Sequence, residues 1–115
     1  MSRSTFAGTG AYGQHWFDAN LSWENMTMSV ARVMNLNMFG IPFVGPDVCG
    51  YYWNTTAADK QDELCARWIQ LATFYPFARS NSAGAPGSKE PWELTEGTHK
   101  TRAVKAINQR YQYLR

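Results

Sequence analysis

Hydrophobic and polar residues follow one another along this chain in blocks that predict strands alternating with helices. Residues 4–7 form a short apolar run typical of a buried strand, and a glycine-containing loop is expected to follow as far as residue 18. Residues 22–37 carry apolar side chains at helical spacing, with Ser22 as the expected N-cap and Gly40 as the expected end. The predicted apolar stripe of this helix consists of Trp23, Met26, Val30, Val33, Met34 and Met38.

The second half of the chain continues the same alternation. Residues 41–44 and 74–77 are compact apolar runs that predict strands, and residues 59–73 between them predict a helix. Residues 80–91 are rich in Gly, Ser, Ala and Pro and predict a loop, after which residues 95–114 return to a helical pattern. The predicted apolar positions are Leu64, Trp68 and Leu71 in the first of these helices and Val104, Ile107, Tyr111 and Leu114 in the second.

Strands that alternate with helices favour an α/β fold with a parallel sheet. Three polar side chains, Asp18, Asp47 and Arg79, are each expected just after a predicted strand. In a parallel α/β barrel the carboxyl ends of the strands carry the active site. The pattern therefore predicts a site that these three residues approach together.

Composition excludes several classes of function. The formal net charge is +2 and only 17% of residues are charged, which gives no electrostatic case for a nucleic-acid partner. No apolar run approaches the length of about 20 residues that a membrane span requires. The two histidines, His15 and His99, have no other metal-ligating residues at ligand spacing, so no metal site is predicted.

The most informative polar residues lie near the beginning of the chain. Arg3 opens the run Arg-Ser-Thr-Phe-Ala-Gly, and residues 15–18 read His-Trp-Phe-Asp. Arginine can donate to sugar hydroxyls, an aromatic ring can stack on a sugar ring, and a carboxyl group can transfer a proton. Trp16 is the tryptophan that we expect to contact a ligand, because of its charged neighbours.

These two segments resemble the catalytic region of glycoside hydrolase family 31, the α-glucosidase family, where the pattern reads R-S-T-F-A-G and then H-W-x-G-D. Residues 39–51 are similar to the family's F-G-x-P-x-V-G-A-D-x-C-G-F. Residues 63–71 resemble E-L-C-x-R-W-x-Q-L, and residues 75–79 resemble Y-P-F-x-R. The four motifs occur in the family's order and cover about residues 2–81 closely.

The resemblance implies that residues 1–115 form one fragment of a (β/α)8 barrel, about three βα units from its middle to later part. A complete barrel takes about 250 residues. The implied activity is cleavage of α-glucosidic bonds with retention, which needs no cofactor. The implied partners are α-linked glucosides or oligosaccharides and the remainder of the barrel.

The family's acid/base is the Asp of H-W-x-G-D, and this chain lacks the Gly of that motif. Two alignments are possible, one that makes Asp18 the acid/base and one that puts Ala19 there and abolishes activity. We favour Asp18. The resemblance also implies a sugar-binding Arg3, an Asp47 that binds sugar hydroxyls, and Tyr51 lining the pocket. Asn81 stands where the family has a substrate-binding His.

The family's nucleophile lies in a W-x-D-M-N-E motif, which does not occur in this chain. We therefore expect the 115-residue chain to be inactive by itself. The alternative is a derivative without catalytic activity that binds carbohydrate or has a structural role. We expect no targeting signal in the first residues of this chain.

Two cysteines, Cys49 and Cys65, flank a polar segment and could form a disulfide or remain buried thiols. The family resemblance favours the disulfide. Glycosylation sequons begin at Asn20, Asn25 and Asn54, and Asn54 is the best candidate because it lies between the cysteines. Together these features predict a parent protein of the secretory pathway, either lysosomal or extracellular.

Overall fold

A computed structural model describes residues 2–51, 58–81, 90–92, 94 and 97–114. Strands and helices alternate in this part of the chain, and the three strands form one parallel sheet in the order β1-β2-β3. The predicted α/β class is therefore confirmed. The elements are a short 3₁₀ turn at Thr9–Ala11, then β1 at His15–Phe17, α1 at Trp23–Met38, β2 at Val44–Val48, α2 at Ala58–Ala72, β3 at Arg79–Ser80 and α3 at Thr98–Tyr113.

The register of the sheet decides which side chains meet. Trp16 lies opposite Gly45 in β2, and Asp47 lies opposite Arg79 in β3. Because side chains alternate along a strand, these residues share one side of the sheet with Asp18, the residue directly after β1. We call Trp16, Asp18, Asp47 and Arg79 the polar face; Val44 and Val48 point to the opposite side and belong to the apolar core.

Strand β2 is the centre of the core. All five of its residues are buried, and α1 and α2 both pack against it. The largest buried side chain is Trp68 of α2, which has no exposed surface. Such burial is expected of a central parallel strand that helices cover. The other buried apolar residues include Val33, Ile41, Leu64, Cys65, Ile69, Ala72, Tyr75, Leu94, Ala103 and Ala106.

The strand predicted over residues 4–7 is wrong. Only Ser2 forms a bridge to β1, opposite His15, and Phe6 is 80% exposed. The hydroxyl of Ser2 accepts the backbone N–H of Ser4, and the hydroxyl of Ser4 accepts that of Phe6. Such local side-chain bonds compete with a strand ladder, so the first strand forms later, inside the predicted loop.

The other two strands also lie further along the chain than predicted. The first residues of the runs 41–44 and 74–77 still belong to the turns that end α1 and α2. Ile41 N–H donates to the carbonyl of Leu36 in α1, and Tyr75 N–H donates to that of Ala72 in α2. A backbone N–H that donates to a carbonyl at the end of a helix is not available to pair with a neighbouring strand. Asp47 and Arg79 consequently lie within β2 and β3 rather than after them.

Helix α1 has the predicted ends and a different buried side. The Ser22 hydroxyl accepts the N–H of Asn25, and Gly40 ends the helix with a φ of 79°, which favours glycine. Of the predicted stripe, only Val33 is buried and Met26 packs partly against the core. Trp23, Val30, Met34 and Met38 are exposed, because α1 turns Met26, Ser29, Val33 and Leu36 toward the core instead.

Helix α2 follows its prediction closely, whereas α3 presents a different side. Leu64 and Trp68 of α2 are buried and Leu71 packs against the core. In α3, Ala103 and Ala106 are buried and Ile107 contacts the core, while the predicted Val104, Tyr111 and Leu114 are exposed. Small residues let α3 approach α2 closely. No helix among the described residues is long and apolar enough to cross a membrane.

The guanidinium of Arg110 in α3 anchors the end of α2. Its Nη1 donates to the carbonyls of Ala72 and Tyr75, each at 2.7 Å. These carbonyls lie at the C-terminus of a helix, where backbone acceptors lack partners within the helix and a cation is favourable. Burial lowers the pKa of Arg110 below its usual value. The contact fixes the turn that leads into β3 and therefore into the polar face.

The predicted disulfide between Cys49 and Cys65 is present, with the two Cα atoms 4.7 Å apart. It ties the residue directly after β2 to the middle of α2. The chain turns sharply there, because Cys49 and Gly50 both have positive φ angles of 66° and 73°. The Asn54 sequon lies outside the described residues.

We predict that Gly45→Ala destabilises the sheet while Gly13→Ala does not. A Cβ atom on Gly45 would collide with the backbone carbonyl of Phe77, whereas nothing lies within 4 Å of one on Gly13. We expect a loss of about 1–3 kcal/mol for Gly45→Ala and a change of about 0.5 kcal/mol or less for Gly13→Ala. Urea unfolding of the two variants measures the difference, and equal stabilities would show that β2 and β3 can separate without cost.

Candidate active site

A buried ion pair joins β2 to β3 on the polar face. The Nε of Arg79 donates to Oδ1 of Asp47 at 2.8 Å, and its Nη2 lies 2.8 Å from the same oxygen. The Asp47 side chain has no exposed surface, whereas 22% of that of Arg79 is exposed. Two nitrogens of one guanidinium therefore hold a single carboxylate oxygen. The other oxygen, Oδ2, is buried and has no hydrogen-bond partner within the described structure.

A second ion pair lies beside the first, at the end of β1. The guanidinium of Arg3 pairs with the carboxylate of Asp18, whose side chain is 28% exposed. The guanidinium carbons of Arg3 and Arg79 each lie 5.1 Å from the ring centre of Trp16. Cations at this distance are attracted to an indole ring. Trp16 thus contacts both arginines, and the two ion pairs form one connected group.

The geometry places Asp18 and Ala19 in different environments. Asp18 lies on the polar face, one residue beyond the pairing of Phe17 with Pro46, and thus next to Asp47. Ala19 is 6% exposed and belongs to the apolar core. Its carbonyl accepts the N–H of Tyr51. Of the two residues that the alignments offered for the acid/base position, only Asp18 reaches the polar face.

The pKa of Asp47 is raised above its ordinary value of 3.8. Burial is the largest cause, because water no longer solvates the charged form. Arg79 acts in the opposite direction through its hydrogen bond and its charge, and the like charge of the neighbouring Asp18 raises the pKa further. Asp47 is therefore a carboxyl group that takes a proton more readily than an exposed aspartate does.

The remaining predicted residues lie around the same edge of the sheet. Tyr51 is partly buried and follows the turn after β2, and Asn81 is partly buried and follows β3 directly. His15 points away from the polar face: it is buried, and its Nε2 lies 2.5 Å from the carbonyl of Ser4. No group of potential metal ligands is found among the described residues.

The sequence pattern places Arg79 at the predicted site together with Asp18 and Asp47, but it does not predict what Arg79 does there. The available signal was Asp47: a carboxylate in an apolar, glycine- and valine-rich strand needs a cation, and buried charges are almost always paired. Arg79 is the arginine that the parallel register places opposite it.

Comparison with known proteins identifies the family. Residues 1–115 match the model of the "Glycosyl hydrolases family 31 TIM-barrel domain". The chain is 43% identical to "Lysosomal alpha-glucosidase" of Rattus norvegicus over 115 residues, which are 99% of this chain and 11% of that protein. The chain belongs to glycoside hydrolase family 31, and it spans about a tenth of the length of such relatives.

Solved structures agree with this assignment. A glucosidase II alpha subunit described as DNJ-bound superposes with a TM-score of 0.76 at 31% identity, covering 89% of this chain and 10% of that one. A family 31 alpha-glucosidase from Bacteroides thetaiotaomicron gives a TM-score of 0.73 at 33% identity, covering 87% of this chain and 16% of that one. The described strands and helices are thus part of a family 31 barrel.

We predict that Asp47 makes stability depend on pH. Because its pKa is raised in the folded state, folding is favoured by its protonation. This contribution is fully present below the ordinary value of 3.8 and is lost as pH rises through the raised pKa. Asp47→Asn removes the titration and keeps an oxygen for Arg79. The unfolding free energy of the natural protein should therefore fall relative to that of the variant between acidic and neutral pH.

Urea unfolding of both proteins at a series of pH values measures this difference. Glu24→Gln, which removes a carboxylate on the first turn of α1, is the control. Parallel pH profiles for natural protein and Asp47→Asn would contradict the prediction.

Proposed function

We propose that this chain is the part of a retaining α-glucosidase barrel that carries the acid/base and sugar-binding residues. Asp18 is the proposed acid/base. The observation that carries the proposal is its position on the polar face beside Asp47, while Ala19 packs into the core. The family membership and the names of the relatives, which are α-glucosidases, support α-linked glucosides or oligosaccharides as substrates.

Arg3 and Trp16 are the proposed sugar contacts. The side chain of Arg3 is 58% exposed, and its guanidinium already lies against both Asp18 and the Trp16 ring. A sugar hydroxyl that accepts from Arg3 would therefore lie within reach of Asp18, where the acid must act. Tyr51 and Asn81 follow β2 and β3, and we propose that they border the same pocket.

The nucleophile must come from elsewhere in the barrel. Retaining enzymes use two carboxyl groups about 5 Å apart, and Asp18 and Asp47 are neighbours on adjacent strands. Asp47 is nevertheless a poor nucleophile, because it has no exposed surface and Arg79 holds one of its oxygens. Its burial also means that a direct contact with a sugar hydroxyl requires a neighbouring side chain to move aside.

We further propose that the remainder of the barrel packs against this chain. We also propose that the parent protein matures in the secretory pathway. The apolar residues exposed on α1, including Trp23 and Met34, fit a surface that another barrel unit covers. The Cys49–Cys65 disulfide fits maturation in an oxidising compartment. One relative is named as a lysosomal enzyme.

The 115-residue chain by itself should not hydrolyse p-nitrophenyl α-glucoside, because it contains no W-x-D-M-N-E motif to supply the nucleophile. The test is turnover by purified chain beside its Asp18→Ala variant. Turnover that Asp18→Ala abolishes would show that a nucleophile lies within these residues and would contradict the proposal.

In a complete barrel that contains this chain, Asp18→Asn should impair substrates with poor leaving groups far more than those with good ones. A general acid matters most when the departing oxygen is basic, and its loss costs typically about 10²–10⁴-fold. An aryl glucoside with an acidic phenol needs little protonation. Azide should restore turnover, because it attacks the glycosyl-enzyme without a general base.

The measurement is kcat/KM for a series of aryl glucosides and for maltose, with and without azide, and Glu24→Gln serves as the carboxylate control on α1. An equal loss on all substrates without azide rescue would favour Ala19 at the catalytic position. If the natural barrel bound these glucosides and turned over none of them, the alternative that it binds carbohydrate without cleaving it would be supported.

A further inference from the structure

Two carboxyl groups lie side by side on the polar face, and each has an arginine of its own. Asp18 pairs with Arg3, and Asp47 pairs with Arg79 through Oδ1. The second oxygen of Asp47 is buried and has no hydrogen-bond partner in the described structure, and the pairing of Phe17 with Pro46 puts Asp18 next to Asp47. An unsatisfied buried carboxylate oxygen is costly, whereas a protonated one can donate to a neighbouring carboxylate. The arrangement therefore fits a single proton held between the two groups.

The two arginines differ in what a bound sugar can reach. The side chain of Arg3 is 58% exposed, so hydroxyls can take its N–H groups. Arg79 is 22% exposed and is held between Asp47 and the Trp16 ring. Sugar binding can thus weaken the ion pair between Arg3 and Asp18 while the ion pair between Arg79 and Asp47 stays intact.

We propose that Asp47 stores a proton for Asp18 and transfers it when a sugar draws Arg3 away from Asp18. This inference rests on the proposed function, because it gives Asp18 the acid role. Before binding, the proton is on Oδ2 of Asp47 and Asp18 is the anion that Arg3 neutralises. On binding, the O–H bond at Asp47 breaks and one forms at Asp18. Asp47 becomes the anion, which Arg79 neutralises, so the total number of protons does not change.

The surroundings of Asp47 fit this transfer. Among the described residues, the charged groups that act on it are Asp18 after β1 and Arg79 on β3, and Arg3 acts through Asp18. The opposite side of β2 presents Val44 and Val48 to the helices. Burial raises the pKa of Asp47, which favours its protonated form. Asp47 would therefore be a positioning residue for a proton and need not touch the sugar.

The test counts protons during sugar binding to the complete protein. Calorimetric titration with glucose is repeated in buffers of different ionisation enthalpy at one mildly acidic pH. In the natural protein the binding enthalpy should not depend on the buffer, because the proton moves internally. Asp47→Asn has no stored proton, so Asp18 must take one from solvent. Its apparent enthalpy should then vary with the buffer, with a slope approaching one proton per sugar.

Two further variants separate this role from a structural one. Asp18→Asn combined with Asp47→Asn should abolish the proton uptake, because no acceptor is left. Arg67→Gln, an exposed arginine on α2 that faces Glu63, should behave as the natural protein does. Equal buffer dependence in the natural protein and Asp47→Asn would overturn the proposal. If the natural protein neither binds glucose nor cleaves α-glucosides, the proposed function fails first.

A second measurement needs no variant of Asp47 and covers the case in which Asp47→Asn does not fold. Infrared difference spectra of the natural protein on glucose binding should show one protonated-carboxyl band lost and another gained at a different frequency. The gained band should be absent in Asp18→Asn. A spectrum without the lost band would overturn the proposal, even where the protein is an active α-glucosidase.

Discussion

The burial of the Asp47 carboxyl group is the constraint on which the polar face depends. Strand β2 is buried along its whole length, and Asp47 is the only one of its five residues with an ionisable side chain. A buried charge without a partner is strongly unfavourable, so the sheet must supply a cation at that register. Arg79 supplies this cation from β3. Arg110 of α3 donates to the carbonyl of Tyr75 and so stabilises the turn that leads into β3. Helix α3 thereby helps to fix the geometry of the site, although it contributes none of the residues of the polar face.

The sequence pattern predicted the parallel α/β class and all three helices, because long periodic segments carry a strong signal. It placed the strands several residues too early. Gly45, Pro46 and Asp47 look like turn residues, and a proline argues against a central strand. Here Gly45 is required by the close approach of the Phe77 carbonyl. That requirement comes from a residue more than thirty positions away, in the segment before β3, and no local pattern contains it.

The site was partly predictable for a related reason. Asp18, Arg3, Trp16 and Asp47 were found through motifs and charge, and the structure brings these four together with Arg79. The pairing of Asp47 with Arg79 depends on strand register, which a single sequence does not specify. The prediction of the buried side of α1 was wrong for a different reason. Ser29 is buried and its hydroxyl shares a hydrogen bond with that of Tyr75, and a polar residue at such a position interrupts the apolar pattern.

The shortened motif after Trp16 has a structural consequence that bears on the role of Asp18. Without the family's glycine, Asp18 follows β1 directly and the connection to α1 is short. The first two residues of that connection are both held: Arg3 pairs with Asp18, and the N–H of Tyr51 donates to the carbonyl of Ala19. Gly50 leaves room for this approach, since a Cβ there would lie 2.6 Å from the backbone nitrogen of Leu21. The disulfide fixes the adjacent Cys49 to α2, so the backbone that confines Ala19 is itself anchored. A loop restrained in this way keeps Asp18 beside Asp47 without the extra residue.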